Sequence, residues 1–193
     1  LRADSTGRVD STLVRAPRID AARLAVGTDT LDIITAGGGA RLWERRLASV
    51  ADSARFVRRP ATDSTAAVDR ILLLGPRPTA WADGAQLTGD SLAIVAQDET
   101  ADAVRVWGQA FAARLDSTLG RLQQIAGRQM EGRFDGDALR QLAVWPNAQA
   151  IYYRASPEGL LEGADEVSAG GLSFRFADGE VREIAVYRGI EGG

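Results

Sequence analysis

Gly89-Asp90-Ser91-Leu92 is the segment most suggestive of chemistry, because a serine in that setting can act as the nucleophile of an ester hydrolase. Such a serine needs a general base to take its proton, normally His, and the chain has none. The same Asp-Ser pair recurs at Asp52-Ser53, which makes it the opening of a repeated strand. Asp135-Gly-Asp137 and Asp178-Gly-Glu180 look like fragments of calcium loops. A calcium site needs six or more oxygens, and neither segment continues with the further ligands, so both read as turns. The carboxylate pairs Asp98-Glu99 and Asp165-Glu166 could perform glycosidase chemistry only across a cleft. Neighbours on a strand face opposite sides, so these pairs read as solvated surface. Gly37-Gly-Gly39 lacks the strand-to-helix setting of a phosphate loop and reads as a flexible turn.

The missing residue types exclude more chemistry. There is no Cys, His or Lys, so all 23 basic residues are Arg. Disulfides, thiolate sites, the usual zinc, copper and haem ligand sets, Schiff bases and P-loop lysines are therefore ruled out. We expect no cofactor, no metal and no enzyme activity. A net charge of −3 opposes nucleic acid as a partner, since proteins that neutralise many phosphates carry a basic face. Arg41, Arg45, Arg46, Arg55, Arg58 and Arg59 do concentrate positive charge in one stretch. Guanidinium pairs well with lipid phosphates, although a solvated face explains the same cluster. At 45% hydrophobic and 25% charged the composition is globular, and no apolar run approaches the ~20 residues that span a bilayer. Opening on Leu1 without a basic or apolar leader, the chain is expected to be a piece of a longer exported protein.

The elements that must position any site are repeats. Asp20-Ala-Ala-Arg-Leu-Ala, Asp52-Ser-Ala-Arg-Phe-Val and Asp90-Ser-Leu-Ala-Ile-Val share one alternating pattern, with weaker copies at Arg128-Gln-Met-Glu-Gly-Arg-Phe and Gly170-Gly-Leu-Ser-Phe-Arg-Phe. Each is followed by a second alternating run, at Leu31–Ile33, Ile71–Leu73, Val104–Val106, Leu142–Val144 and Ile184–Val186. Period-two alternation predicts strands, and Asp-Gly in the last two copies supplies the positive φ of a tight hairpin. A lone hairpin cannot bury its apolar face, so five in series predict a stack with one shared core. Trp43, Leu47, Val50, Ala54 and Val57 also fit a helical spacing; the repeat makes Asp52–Val57 a strand and leaves Trp43–Val50 as helix or loop. Pro60 to Asp69 reads as a long connecting loop.

Ile71-Leu-Leu-Leu-Gly-Pro-Arg-Pro-Thr-Ala-Trp followed by Gln86-Leu-Thr-Gly-Asp-Ser-Leu resembles the OstA-like (LptA-like) lipopolysaccharide-transport family. Gly120-Arg-Leu-Gln-Gln-Ile-Ala-Gly-Arg-Gln-Met-Glu-Gly-Arg-Phe and Leu142-Ala-Val-Trp-Pro-Asn-Ala-Gln-Ala-Ile-Tyr-Tyr are similar to its branch in Bacteroidetes-like bacteria. The likeness is best from Asp52 to Tyr187 and departs from the family at Pro146, where Gly is usual. It implies an all-β, open antiparallel β-jellyroll (a β-taco) of about five stacked hairpins over residues 1–193. It also implies a non-catalytic periplasmic carrier for lipopolysaccharide or a related envelope lipid, outer-membrane associated through a longer parent chain. The groove so implied is lined by Leu92, Ile94, Val104, Val106, Met130, Leu142, Val144, Leu172, Phe174, Ile184 and Val186. Unpaired edges near Ala21 to Val26 and Ile184 to Arg188 would dock further jellyroll domains or a second copy. The alternative is a structural or adhesive envelope module for protein or glycan, which exposed aromatics around Trp81, Trp107 and Tyr152 would favour.

Overall fold

The structure is a computed structural model that describes residues 2–3, 9–10, 12–27, 29–44, 47–62, 66–82, 84–97, 100–136, 138–177 and 180–187. Within those residues the regular structure is entirely β. Two short strands, β1 (Arg2–Ala3) and β2 (Val9–Asp10), pair only with each other. The remaining fifteen form one sheet. In chain order these are β3 (Thr12–Arg15), β4 (Arg18–Val26), β5 (Asp29–Glu44), β6 (Leu47–Arg59), β7 (Val68–Leu74), β8 (Thr79–Ala82), β9 (Ala85–Thr88) and β10 (Ser91–Gln97). They continue with β11 (Thr100–Asp116), β12 (Arg121–Asp135), β13 (Ala138–Trp145), β14 (Ala148–Ala155), β15 (Leu161–Ala169), β16 (Gly171–Ala177) and β17 (Glu180–Tyr187).

The ten alternating runs fall on strands, with only the leading Asp90 and Gly170 just outside, and the runs of each repeat pair antiparallel, as β4–β5, β6–β7, β10–β11, β12–β13 and β16–β17. Gly136 takes a positive φ of 61° in the β12–β13 turn, as the Asp-Gly signal requires; Asp178 and Gly179 lie outside the described residues.

Long strands change partners partway along. In one half of the sheet β6 pairs with β7 through Ser53–Arg59, and in the other it pairs with β8 through Leu47–Val50. Likewise β11 passes from β10 to β9, and β12 from β13 to β14. These pairings close a ring of six strands, β6–β7–β10–β11–β9–β8, with the other strands added on either side. The first half holds β4, β7, β10, β13, β16 and β17, and the second holds β3, β8, β9, β14 and β15. Buried residues of both halves belong to one core, in which Leu73, Leu92, Val106 and Met130 join Leu42, Ala80, Ala110 and Ala148.

Glycine marks the line where chains cross between halves. Gly38 and Gly39 (φ 82° and 98°) interrupt the β5–β6 register, and Gly108 and Gln109 (φ 67° and 47°) interrupt β11–β12. Those conformations favour glycine. The Gly37–Gly39 segment is therefore a bulge inside one sixteen-residue strand, where a flexible turn was expected: paired neighbours on both sides keep the chain in the sheet while the bulge re-aims it. Of the Trp43–Val50 segment, Trp43, Glu44 and Leu47–Val50 are strand, not helix or loop, and Arg45 and Arg46 lie outside the described residues. Trp43 pairs with Ala48 and Glu44 with Leu47 as β5 turns into β6, so facing strands satisfy a spacing that also suits a helix.

Candidate functional site

The register assembles the expected apolar positions into two cross-strand rows on one face. The row beside the crossing line runs Ala36, Ala54, Leu73, Leu92, Val106, Met130, Val144 and Leu172, each directly opposite the next. Each of these is 2% exposed or less. The row ends at Ile19 on β4 and Val186 on β17, 51% and 57% exposed.

The second row runs Ile34, Phe56, Ile71, Ile94, Val104, Gly132, Leu142, Phe174 and Ile184. Burial is looser here: Ile71, Val104 and Phe174 are buried, Phe56, Ile94, Leu142 and Ile184 are half-buried, and Ile34 is exposed. All eleven expected positions thus share one face, but they are not equivalent. Leu92, Val106, Met130, Val144 and Leu172 are sealed core next to the crossing line, packed in one cluster with residues of the second half. Val186 is an edge position. Ile94, Leu142 and Ile184 retain access.

A third row, missed from sequence, changes character along the stack. On β12, β13 and β16 it holds the half-buried Phe134, Leu139 and Phe176, with Phe134 opposite Leu139. Toward the other end it is ionic. Arg23 Nε donates to Asp32 Oδ1 at 2.6 Å, Asp32 stands opposite Arg58, and Arg58 pairs with Asp69 at 3.5 Å. The hydrogen bond from Arg23 is the main reason the Asp32 pKa lies below the ordinary carboxylate value. Surface pairs of this kind contribute little to stability; they make this part of the face polar.

The inner face of the second half is built from smaller residues. Leu42, Ser49, Ala80, Leu87, Ala112, Ile125 and Ala150 form its first row, and the next includes Leu47, Ala82, Ala85, Arg114 and Gln123. At the β12–β17 end one wall is therefore apolar for three rows, while the facing wall, apolar through Ala112, Ile125 and Ala150, turns polar at Arg114 and Gln123 in the next.

The tempting motifs take structural places. Ser91 opens β10 opposite Leu74 and Trp107. The Asp90 N–H donates to the carbonyls of Trp107 and Gly108 at 2.8 Å, which ties the crossing of β10 to that of β11. The arginine cluster disperses: Arg41 stands opposite Val50 in the second half, Arg55 opposite Thr35 in the first, Arg58 joins the ionic row, and Arg59 donates to the Ala66 carbonyl at 3.4 Å. Arg45 and Arg46 lie outside the described residues, as do Asp98, Glu99 and Asp137. Asp165 accepts from Arg154 at 2.6 Å. Among the described residues no group of three or more acidic side chains could hold a metal ion. No protein-family model matches this chain, and no curated protein matches it.

Proposed function

We propose that this chain is a non-catalytic carrier of an amphipathic envelope lipid of the lipopolysaccharide type, working in the periplasm as part of an OstA-like bridge. The observation that carries this reading is the burial gradient. Apolar residues are sealed at the crossing line, a mixture of buried and half-buried one row out, and still apolar at the half-buried Phe134, Leu139 and Phe176 in the third row. A closed core would finish with polar residues once its interior was filled. The strands that pass from one half to the other fit an open antiparallel jellyroll folded about the glycine line, with the six-stranded ring at its middle.

In this reading acyl chains lie against β12, β13, β16 and β17, where three rows are apolar, and the ionic row on β4 to β7 bounds them. Each methylene removed from water contributes about 0.8 kcal/mol, so one chain binds measurably and several bind tightly. The test is organic extraction and mass spectrometry of protein purified from cells that make the envelope lipid. An acylated lipid in stoichiometric amount is expected. Lipid-free protein that also fails to take up a fluorescent fatty acid would overturn the reading.

A further inference from the structure

The outer face of the second half, on the opposite side of the sheet from the proposed groove, holds a feature that lipid carriage does not use. One cross-strand row reads Trp43, Ala48, Trp81, Gln86, Ala113 and Gln124 on six successive strands. Trp43 is 41% and Trp81 40% exposed, whereas their inward neighbours Leu42 and Ala80 are sealed. Strand spacing sets the two indoles roughly 10 Å apart, with only the methyl of Ala48 between them. The Trp81 Nε1–H donates to Gln86 Oε1 at 3.1 Å, which fixes that ring. A shallow, open depression lies beside it over Ala48, Gln86, Ala113 and Leu122.

From this arrangement we infer a saccharide-binding site for a neutral, extended oligosaccharide. The C–H bonds of a pyranose face carry partial positive charge and stack on the negative face of an indole. Two indoles separated by a small residue suit every second ring of a β-linked chain. The amides of Gln86 and Gln124 offer donors and acceptors to hydroxyl groups. None of these six side chains is ionisable, so the ligand lying over them is uncharged; the row meets a charge only beyond Ile151, at Glu166 on β15. Self-association is a poorer fit: Leu13, Trp43, Val50, Trp81, Leu115 and Leu122, the exposed large apolar side chains of this face, together expose roughly 550 Å² of apolar surface, where a stable interface needs about 800 Å² per partner. This inference is independent of the carrier reading.

The experiment titrates the full chain with cellohexaose and with chitohexaose, followed by tryptophan fluorescence and calorimetry. Saturable binding of at least one sugar is expected, weakened by about tenfold or more in Trp43→Ala and in Trp81→Ala. Binding should persist in Trp81→Phe, which keeps a stacking ring, and in Trp145→Ala, an exposed indole on the other half. Circular dichroism checks folding, and Trp43→Ala and Trp81→Phe keep the test readable if Trp81→Ala is unstable. No saturable binding of either sugar, or binding unchanged in both alanine variants, overturns the inference. So does a dimer in sedimentation that Trp81→Ala abolishes, since the row would then belong to a second copy.

Discussion

Gly89 lies directly against Val106: a methyl group on Gly89 would run into Val106 Cγ1 and come within 3.0 Å of the Trp107 and Gly108 carbonyl oxygens. Gly127 stands in the same relation to Val144, 38 residues farther along for both partners. The two sites are one structural device repeated, a close approach of backbone and core where strands cross between halves. Gly89→Ala and Gly127→Ala are therefore expected to destabilise by about 1–3 kcal/mol each, the cost of overpacking. Urea midpoints would measure this, with Gly120→Ala as a control for φ strain alone, since a Cβ there meets nothing within 4 Å. Equal losses at all three positions would contradict the close-approach account.

The burial gradient predicts where a lipid can be captured. A photo-crosslinking residue placed at Ile94, Leu142 or Phe176 should label with envelope lipid in cells. At Val106, sealed in the first row, and at Ala93 and Arg105, on the opposite face, labelling should be weak. Equal labelling throughout would leave the carrier proposal without its physical basis. In parallel, Leu92→Ala should cost about 2–5 kcal/mol of stability, and Val186→Ala less than about 0.5 kcal/mol.

Strands β4 and β17 each pair on one side only, and the first apolar row ends on them at Ile19 and Val186. A second copy docked head to tail would continue both the hydrogen-bond ladder and the row. Concentration-dependent association is expected in sedimentation, and Ile19→Arg or Val186→Arg should weaken it while leaving the folded monomer intact, because both positions are exposed. A wild-type chain that stays monomeric at high concentration would refute this.

Asp116 closes the β11–β12 turn. Its Oδ1 accepts the N–H groups of Thr118 and Leu119 at 3.0 Å, and its Oδ2 accepts from the Gln123 amide at 3.2 Å. These bonds, that from Leu119 foremost, hold its pKa below the ordinary carboxylate value. A pKa lowered on folding stabilises the protein above the unfolded value of about 4, and the contribution is lost as pH falls through the folded value. Asp32 acts in the same direction. Stability should therefore decline below about pH 4, and less steeply in Asp116→Asn; urea midpoints at low and neutral pH would show it. At the alkaline end Tyr152, raised first by desolvation and then by its bond with Asp165, stabilises below about pH 10 and ceases to do so as pH climbs through its folded value.

Sequence alone determined the all-β class, the pairing of the ten alternating runs and the face on which the apolar residues stand, because period-two alternation and turn glycines are local properties of the chain. It could not separate Leu92 from Ile94 or Val144 from Leu142. These occupy the same pattern, and only their distance from the crossing line decides which are sealed. Nor did it mark β8, β9, β14 and β15, whose inward positions include Ala80, Ala85 and Ala150; small alanines facing inward, with outward neighbours such as Trp81 and Ile151 that are as apolar or more so, leave no hydrophobic alternation to read. The outward row of Trp43 and Trp81 exists only because β5, β6 and β8 lie side by side in one register. Residues 38 positions apart became neighbours through hydrogen bonds formed between strands, and that proximity belongs to the tertiary structure.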